Sequence, residues 1–170
     1  MRLPDSIHLD VSGGGNGRSH VEWILPKAGQ LKFNVDGAAR GQPGEAGIGG
    51  ILRDENGNTK LVFSKPIGQA DSNMAELLAI KEAFLIFAAS NWANEKELLV
   101  ESDSKNAVKW VNEPTSGPWR CRKIIFQIEG YKKKIKKWTV IHAFREANII
   151  ADNLAKSSVD RGSAIMTRLD

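Results

Sequence analysis

Four acidic residues occur where a carboxylate could take part in chemistry. Asp36 ends a run of alternating apolar and polar residues, the pattern of a half-buried strand. Asp103 ends a second predicted strand, Glu76 lies near the start of a long predicted helix, and Asp152 lies in the last predicted helix. Structural interpretations remain open: a solvated strand end for Asp36, a helix-dipole position for Glu76 and a helix cap for Asp103. Because Mg²⁺ prefers carboxylate ligands, convergence of these residues would make a metal site.

The composition is that of a globular protein with its own core. The chain has 170 residues, 41% of them hydrophobic and 26% charged. No apolar run is long enough to cross a bilayer, and the first 17 residues lack the apolar core of a secretion signal. Cys121 is the only cysteine, which excludes an intrachain disulfide and a cysteine zinc cluster. We therefore expect an intracellular protein of the nucleus or cytoplasm that is neither secreted nor bound in a membrane.

Positive charge is concentrated in one segment. The net charge of the chain is +4, and residues 119–137 contain eight basic residues and one acidic residue. That segment therefore carries +7 and the remainder about −3. The asymmetry predicts a basic patch that could hold a polyanion, although a solvated helix face would have the same composition.

The chain divides into three predicted regions. Residues 1–30 form a flexible arm or linker, because the glycines at 13–15 and 17 make ordered structure costly. Trp23, Ile24 and Leu25 offer apolar contacts by which this arm can dock. Residues 31–160 form the domain, and residues 161–170 form a tail that we expect to fray.

The apolar patterns and turn signals predict nine elements in the order β-β-β-α-β-α-α-β-α. The predicted strands are 31–39, 46–53, 60–67, 97–103 and 138–144, and the predicted helices are 72–90, 105–112, 119–137 and 147–159. Three strands joined by tight turns form an antiparallel meander, and the later strands return through helices. The fold class is therefore mixed α/β (α+β), with a five-stranded mixed sheet and helices on both faces.

Four phrases in this order resemble the ribonuclease H family, type 1. They are Asn-Val-Asp-Gly-Ala at 34–38, Ser-Asn-Met-Ala-Glu at 72–76, Glu-Ser-Asp-Ser at 101–104, and Arg-Glu-Ala-Asn-Ile-Ile-Ala-Asp-Asn-Leu-Ala at 145–155. The resemblance covers about residues 31–159. It is closest to the short branch found in archaeal and bacterial enzymes, in plant proteins and in plant retrotransposons.

The resemblance implies a ribonuclease H-like fold and cleavage of the RNA strand of RNA/DNA hybrids. It implies four catalytic residues that also ligate metal: Asp36, Glu76, Asp103 and Asp152. Two Mg²⁺ ions, or Mn²⁺ in their place, would be held by these carboxylates. His142 and Arg145 are candidates for an auxiliary role in proton transfer or product release. Their structural alternatives are a satisfied strand histidine and an arginine paired to a nearby acid.

The resemblance also suggests which groups would contact the hybrid. Backbone groups near Gly37 and Ala38 and the amide of Asn73 could read the 2′-hydroxyl, although Asn73 could simply start a helix. Ser104, beside Asp103, is also assigned to nucleic-acid binding. The predicted phosphate contacts are Lys132, Lys133, Lys136 and Lys137.

Three functional hypotheses follow. The first is an active ribonuclease H, acting as a monomer or as a retrotransposon domain fused to or working with a reverse transcriptase. The second is a catalytically weak nucleic-acid-binding module with the same fold. The third is a related nuclease such as an integrase or resolvase, which the phrases around Asp103 and Asp152 fit poorly.

Overall fold

The computed structural model describes residues 8–9 and 21–169, with side chains from 23 to 169. The predicted glycine-rich linker at 13–17 lies outside the described residues. Strand β1, His8–Leu9, pairs antiparallel with strand β2, Val21–Glu22. From Trp23 onward the chain packs into one mixed α/β unit.

Six further strands form a single mixed sheet in the order β7-β6-β3-β4-β5-β8. They are β3 Gln30–Ala39, β4 Gly44–Arg53, β5 Thr59–Ala70, β6 Glu97–Ser102, β7 Trp138–His142 and β8 Ile165–Arg168. Strands β7, β6 and β3 are parallel, and β3, β4, β5 and β8 are antiparallel neighbours. The predicted meander and the predicted α/β class are confirmed.

Helices cover both faces of this sheet, as predicted. In the described part of the chain they are α1 Ser72–Ala88, α2 Trp92–Glu95, α3 Lys105–Asn112, α4 Arg122–Lys132 and α5 Ile149–Arg161. Helix α1 begins where the Asp71 side chain accepts a hydrogen bond from the Met74 N–H at 2.8 Å. Its buried face joins α3, α4 and one face of the sheet in the main core, and α5 packs on the opposite face.

The predicted count of five strands in the sheet is wrong by one. Strand β8 lies in the predicted tail, 161–170, and pairs antiparallel with β5, so residues 165–168 extend the sheet instead of fraying. All four of its residues are exposed, so their side chains carry no buried-strand pattern. Backbone pairing alone defines this strand, which is why the apolar pattern did not reveal it.

The predicted helix at 119–137 is shorter than expected. A single 3₁₀ turn, Trp119–Cys121, precedes α4, which ends at Lys132. The N–H of Lys134 donates to the carbonyl of Tyr131, which closes a tight turn. Lysines three and four residues apart repel each other on a helix, and the chain must reach the start of β7 at Trp138. No helix among the described residues combines the length and apolar character needed to cross a membrane.

Candidate active site

Asp36 and Asp103 lie at the same end of two neighbouring parallel strands. Asp36 is near the end of β3, and Asp103 directly follows β6. Their carboxylates therefore meet at the carboxyl edge of the sheet, where ligands gather in open α/β sheets. Asp36 is 2% exposed and accepts a hydrogen bond from the Gly37 N–H at 2.9 Å. Ser104, not Asp103, caps α3, so the cap interpretation of Asp103 is wrong.

Glu76 reaches the same point from α1. A Cβ on Gly37 would lie 2.3 Å from the carbonyl carbon of Ala75, so only glycine lets the helix approach β3 this closely. The contact places Glu76 beside Asp36. Glu76 lies beyond the first turn of α1, which excludes the helix-dipole interpretation of its position.

Asp152 comes from α5 on the opposite face of the sheet. Helix α5 packs directly on β4, where a Cβ on Gly49 would lie 2.5 Å from the Ala155 nitrogen and 2.6 Å from the Ala151 oxygen. Asp152 lies within the same cleft as the other three acids. One of its oxygens accepts a hydrogen bond from the Lys156 ammonium at 2.8 Å, one helical turn further on.

The acidic cluster has the donor set of a divalent metal site. Each of Asp36, Glu76 and Asp103 offers a carboxylate oxygen, and these oxygens lie within 4.8 Å of one another. Among the described buried side chains, the Oε2 atom of Glu76 has no hydrogen-bond partner. An unpaired buried carboxylate oxygen is costly, and a hard cation would satisfy it. The residues therefore fit Mg²⁺ or Mn²⁺.

Burial raises the pKa of two of these carboxyl groups. Burial is the main cause that raises the pKa of Asp36 to about 7, and the charges of Asp103 and Asp152 add to the rise. Burial likewise raises the pKa of Glu76 far above its ordinary value, with Asp36 as the next cause. Without a cation, the cluster thus holds protons near neutral pH.

The cleft also contains most of the other residues singled out in the sequence. Those that line it are Gly37, Ala38, Asn73, Ser104, His142 and Arg145. His142 is half-buried at the end of β7 and its ring meets that of Phe144 edge-on at 5.9 Å. Arg145 is exposed in the 3₁₀ turn Arg145–Asn148. The Ser104 hydroxyl accepts a hydrogen bond from the Ala107 N–H at 3.1 Å.

The predicted phosphate-binding lysines do not line this cleft. Three of them are exposed and precede the start of β7; we call them the edge lysines, and they are Lys133, Lys136 and Lys137. The acids lie beyond its other end, and about 13 Å of strand separates the two. Lys132 is turned inward: its ammonium donates to the carbonyl of Val111 at 2.6 Å and lies 4.3 Å from the Trp138 ring centre.

The cleft residues missed by the sequence reasoning include two lysines and an exposed aromatic residue. Lys156 could have been found, because it follows Asp152 at helical spacing, i to i+4. Lys105 could also have been found, as the first residue of the helix after Asp103. Phe144 is 66% exposed at the cleft, and its sequence context gave no signal that an aromatic ring would remain uncovered there.

Comparisons with known proteins agree with this architecture. Residues 34–158 match the model of the family described as reverse transcriptase-like. A ribonuclease HI from Haemophilus influenzae is 30% identical over 152 residues, which cover 80% of this chain and 92% of the relative. A protein from Arabidopsis thaliana, provisionally named a ribonuclease H protein, is 35% identical over 135 residues. This chain spans only 21% of the length of that plant relative and 36% of a bifunctional protein from Mycobacterium tuberculosis.

Solved structures share the fold. The crystal structure of ribonuclease H1 from Halobacterium salinarum superposes with a TM-score of 0.72 at 25% identity, over 78% of this chain and 99% of the other. The structure of LC11-RNase H1 in complex with an RNA/DNA hybrid gives a TM-score of 0.72 at 28% identity, again over 78% and 99%. The family match, the Haemophilus relative and these structures agree, and the chain belongs to the ribonuclease H family.

Proposed function

We propose that this chain is a metal-dependent endonuclease that hydrolyses the RNA strand of RNA/DNA hybrids. The observation that carries the proposal is the convergence of Asp36, Glu76 and Asp103, from three different elements, on one point, with Asp152 beside them in the cleft. Such mutually repelling carboxylates destabilise a domain unless a cation holds them. Family membership supports the same activity.

The four carboxylates are the residues that would hold two Mg²⁺ ions, with Mn²⁺ as a substitute. Two such ions supply an activated water and stabilise the leaving oxygen of a phosphodiester. The protein fixes the positions of these carboxylates. Asp36 lies on a central strand, and Glu76 lies on a helix that packs closely against that strand at Gly37. The raised pKa of Asp36 means that protons compete with the ions near neutral pH.

Groups along the cleft would recognise the hybrid. The backbone at Gly37 and Ala38 and the Asn73 amide are positioned beside the acids and could contact the 2′-hydroxyl. Ser104 lines the same cleft, directly after Asp103. The relative LC11-RNase H1, solved with an RNA/DNA hybrid, supports this substrate class. Lys132 and the edge lysines would contact a duplex only if it extended well beyond the cleft.

His142 and Arg145 are proposed as auxiliary groups. Both line the cleft beside the acids, and Arg145 is exposed where a phosphate could reach it. An imidazole near the reacting phosphate could shuttle a proton, and a guanidinium could hold a phosphate oxygen. We assign the two residues to proton transfer or product release.

The origin of the chain is also a proposal. The Arabidopsis relative supports a plant source, and its greater length is consistent with a domain of a retrotransposon that works with a reverse transcriptase. We propose that the domain acts as a monomer in the nucleus or cytoplasm.

A substrate panel tests the function. Labelled RNA/DNA hybrid, single-stranded RNA and double-stranded DNA are incubated with the protein and Mg²⁺ or EDTA, beside Asp103→Asn. We expect cleavage of RNA only in the hybrid, abolished by EDTA and by the substitution. Tight binding of the hybrid without metal-dependent cleavage would instead establish the binding module. Cleavage of double-stranded DNA would favour the integrase or resolvase hypothesis.

A further inference from the structure

A buried polar network joins the N-terminal arm to the two strands that carry Asp36 and Asp103. The indole N–H of Trp23 donates to the Asn34 Oδ1 atom at 2.7 Å, and the Asn34 amide donates to the Glu101 Oε2 atom at 2.8 Å. The other oxygen of Glu101 pairs with the Lys32 ammonium at 2.8 Å. The three donor residues, Trp23, Asn34 and Lys32, are all buried, and Trp23 is 4% exposed.

This network lies on the face of the sheet to which the side chains of Asp36 and Asp103 belong. Side chains alternate along a strand, so Asn34 shares its face of β3 with Asp36, two residues on. Glu101 likewise shares its face with Asp103. Asn34 and Glu101 are paired in the parallel register of β3 and β6. Their hydrogen bond therefore links the two strands one step before the two carboxylates.

Trp23 completes this network. Its N–H is the partner that fixes which end of the Asn34 amide faces Glu101, because the carbonyl oxygen turns to the indole and the NH₂ group to the carboxylate. The indole ring also covers two buried cations: Arg53 lies 4.4 Å and Lys32 4.9 Å from the ring centre. Loss of the N–H would leave a buried amide oxygen unpaired.

The segment that brings Trp23 to this place is tied down by its backbone. The Lys32 ammonium donates to the carbonyl of Ile24 at 2.5 Å. Ile24 itself is 73% exposed, so hydrophobic burial of that side chain does not hold the segment. The indole and this charge-assisted hydrogen bond hold it, which makes the docking specific to Trp23.

We propose that Trp23, Asn34 and Glu101 are positioning residues for the acidic cluster. They set the spacing and tilt of β3 and β6, on which the distance between the carboxylates of Asp36 and Asp103 depends. Like charges held close together push their strands apart, and a shift of well under 1 Å alters how two carboxylates share a cation. The inference deepens the proposed function and rests on its metal site.

Trp23→Phe tests the proposal, because it removes the N–H and keeps a smaller aromatic ring near the two cations. Trp92→Phe is the matched control, since Trp92 is half-buried and packs against Phe87 away from the acids. The readouts are the Mn²⁺ dissociation constant without substrate, kcat and KM on a hybrid, and thermal unfolding. Orienting partners of metal ligands change metal affinity by about tenfold or more.

We expect Trp23→Phe to weaken Mn²⁺ binding on the order of threefold to tenfold and to lower kcat with little change in KM. Trp23→Phe should unfold at a lower temperature than Trp92→Phe, because it leaves the buried Asn34 oxygen unpaired, and both variants should remain folded at the assay temperature. Asn34→Leu should have an effect on Mn²⁺ binding that is not additive with that of Trp23→Phe, because both break one network. Unchanged Mn²⁺ affinity in Trp23→Phe, or an equal loss in Trp92→Phe, would overturn the proposal.

The metal measurement separates this inference from the proposed function. A wild-type protein that binds Mn²⁺ but cleaves no hybrid would contradict the function and leave the role of Trp23 measurable. A wild-type protein that cleaves hybrids while Trp23→Phe retains full Mn²⁺ affinity and kcat would contradict only the positioning role.

Discussion

At the scale of single residues, the site holds carboxyl groups where water hardly reaches them. Asp36 is 2% exposed and Glu76 is 9% exposed. Burial and the neighbouring carboxylates raise the pKa of each. A divalent cation favours the ionised form and so competes with protons for the same oxygens. Stability and metal binding should therefore both depend on pH near neutrality.

Asp36→Asn should stabilise the metal-free protein at about pH 8 while abolishing cleavage. The pKa of Asp36 rises on folding from 3.8 to about 7, mainly through burial. The stability that this protonation contributes is therefore full below about pH 4 and is lost as the pH rises through about 7. The loss amounts to at most about 4 kcal/mol, and asparagine removes it.

Thermal unfolding in EDTA at about pH 5 and about pH 8 measures this effect. The exposed Glu95→Gln is the control and should show no such gain. Mg²⁺ should raise the melting temperature of the wild type more at the higher pH. A metal-free Asp36→Asn protein less stable than the wild type at the higher pH would contradict the prediction.

Lys156→Met should lower the Mg²⁺ concentration that gives half-maximal cleavage. Lys156 pairs with Asp152 at 2.8 Å and so competes with a cation for that carboxylate. The lysine side chain is more than half exposed, so the pair is weak and the shift should be roughly twofold. Mg²⁺ titration of the cleavage rate measures it. Lys105→Met, in the same cleft, is the control; an equal shift there would contradict the specific competition.

At the scale of secondary structure elements, glycines set how closely helices approach the strands. The absence of a side chain at Gly37 lets α1, with Glu76, pack against β3. The absence of a side chain at Gly49 lets α5, with Asp152, pack against β4. Glycines within a strand are typical of a bulge or of a close approach by another backbone. Strand β4 shows both, with a register shift between Ala46 and Gly47 and the close approach of α5 at Gly49. The sequence could not say which helix would approach, because that depends on the order in which the strands pair.

Gly49→Ala should destabilise the protein and impair cleavage. The added methyl group would lie 2.5 Å from the Ala155 nitrogen, a backbone atom that moves only if α5 moves. We expect a loss of about 1–3 kcal/mol in the free energy of unfolding. Denaturant unfolding and the cleavage rate measure the two effects.

Gly130→Ala provides the matched control for that substitution. Gly130 lies within α4, and a Cβ there meets nothing within 4 Å. Alanine should therefore stabilise the protein by about 0.5–1 kcal/mol through its helix propensity, with cleavage unchanged. Equal effects of the two substitutions would contradict the role of close packing at Gly49.

At the scale of the whole molecule, two groups of basic residues lie apart from each other. The cleft cations surround the acids and are Lys105, Arg145 and Lys156. The edge lysines lie at the opposite ends of the parallel strands. The resemblance predicted that the four acids cluster, and they line one cleft, because each phrase belongs to one element with a fixed place in the family fold. Charge counting found the lysines but could not place them.

The features that could not be predicted from the sequence all depend on tertiary structure. The position of the edge lysines depends on where α4 ends and on the direction of β7. Strand β8 depends on backbone pairing with β5, and the Trp23 network depends on the register of β3 against β6. None of these leaves a periodic pattern in the sequence, because each pairs segments that are far apart along the chain.

The two groups of cations should contribute differently to the salt dependence of hybrid binding. The logarithm of the affinity falls with the logarithm of the salt concentration, and each lost phosphate contact makes this slope shallower by about 0.9. We expect replacement of all three cleft cations by glutamine to reduce the magnitude of the slope by about 2–3. The same replacement of the three edge lysines should reduce it by less than about 1. Binding to a short hybrid over a salt series measures this. A larger effect from the edge lysines would mean that the duplex lies along that edge.

The most direct test of the central claim is single-turnover cleavage of an RNA-labelled hybrid by the wild type and by Asp36→Asn in saturating Mg²⁺. Asp36 interacts with the carboxyl groups of Glu76, Asp103 and Asp152 and accepts a hydrogen bond from the Gly37 N–H, so no neighbouring carboxylate can replace it. We expect RNA cleavage by the wild type, none in EDTA, and a loss of at least about a thousandfold in the cleavage rate of the variant. Comparable cleavage by both proteins would show that the acidic cluster is not the catalytic centre.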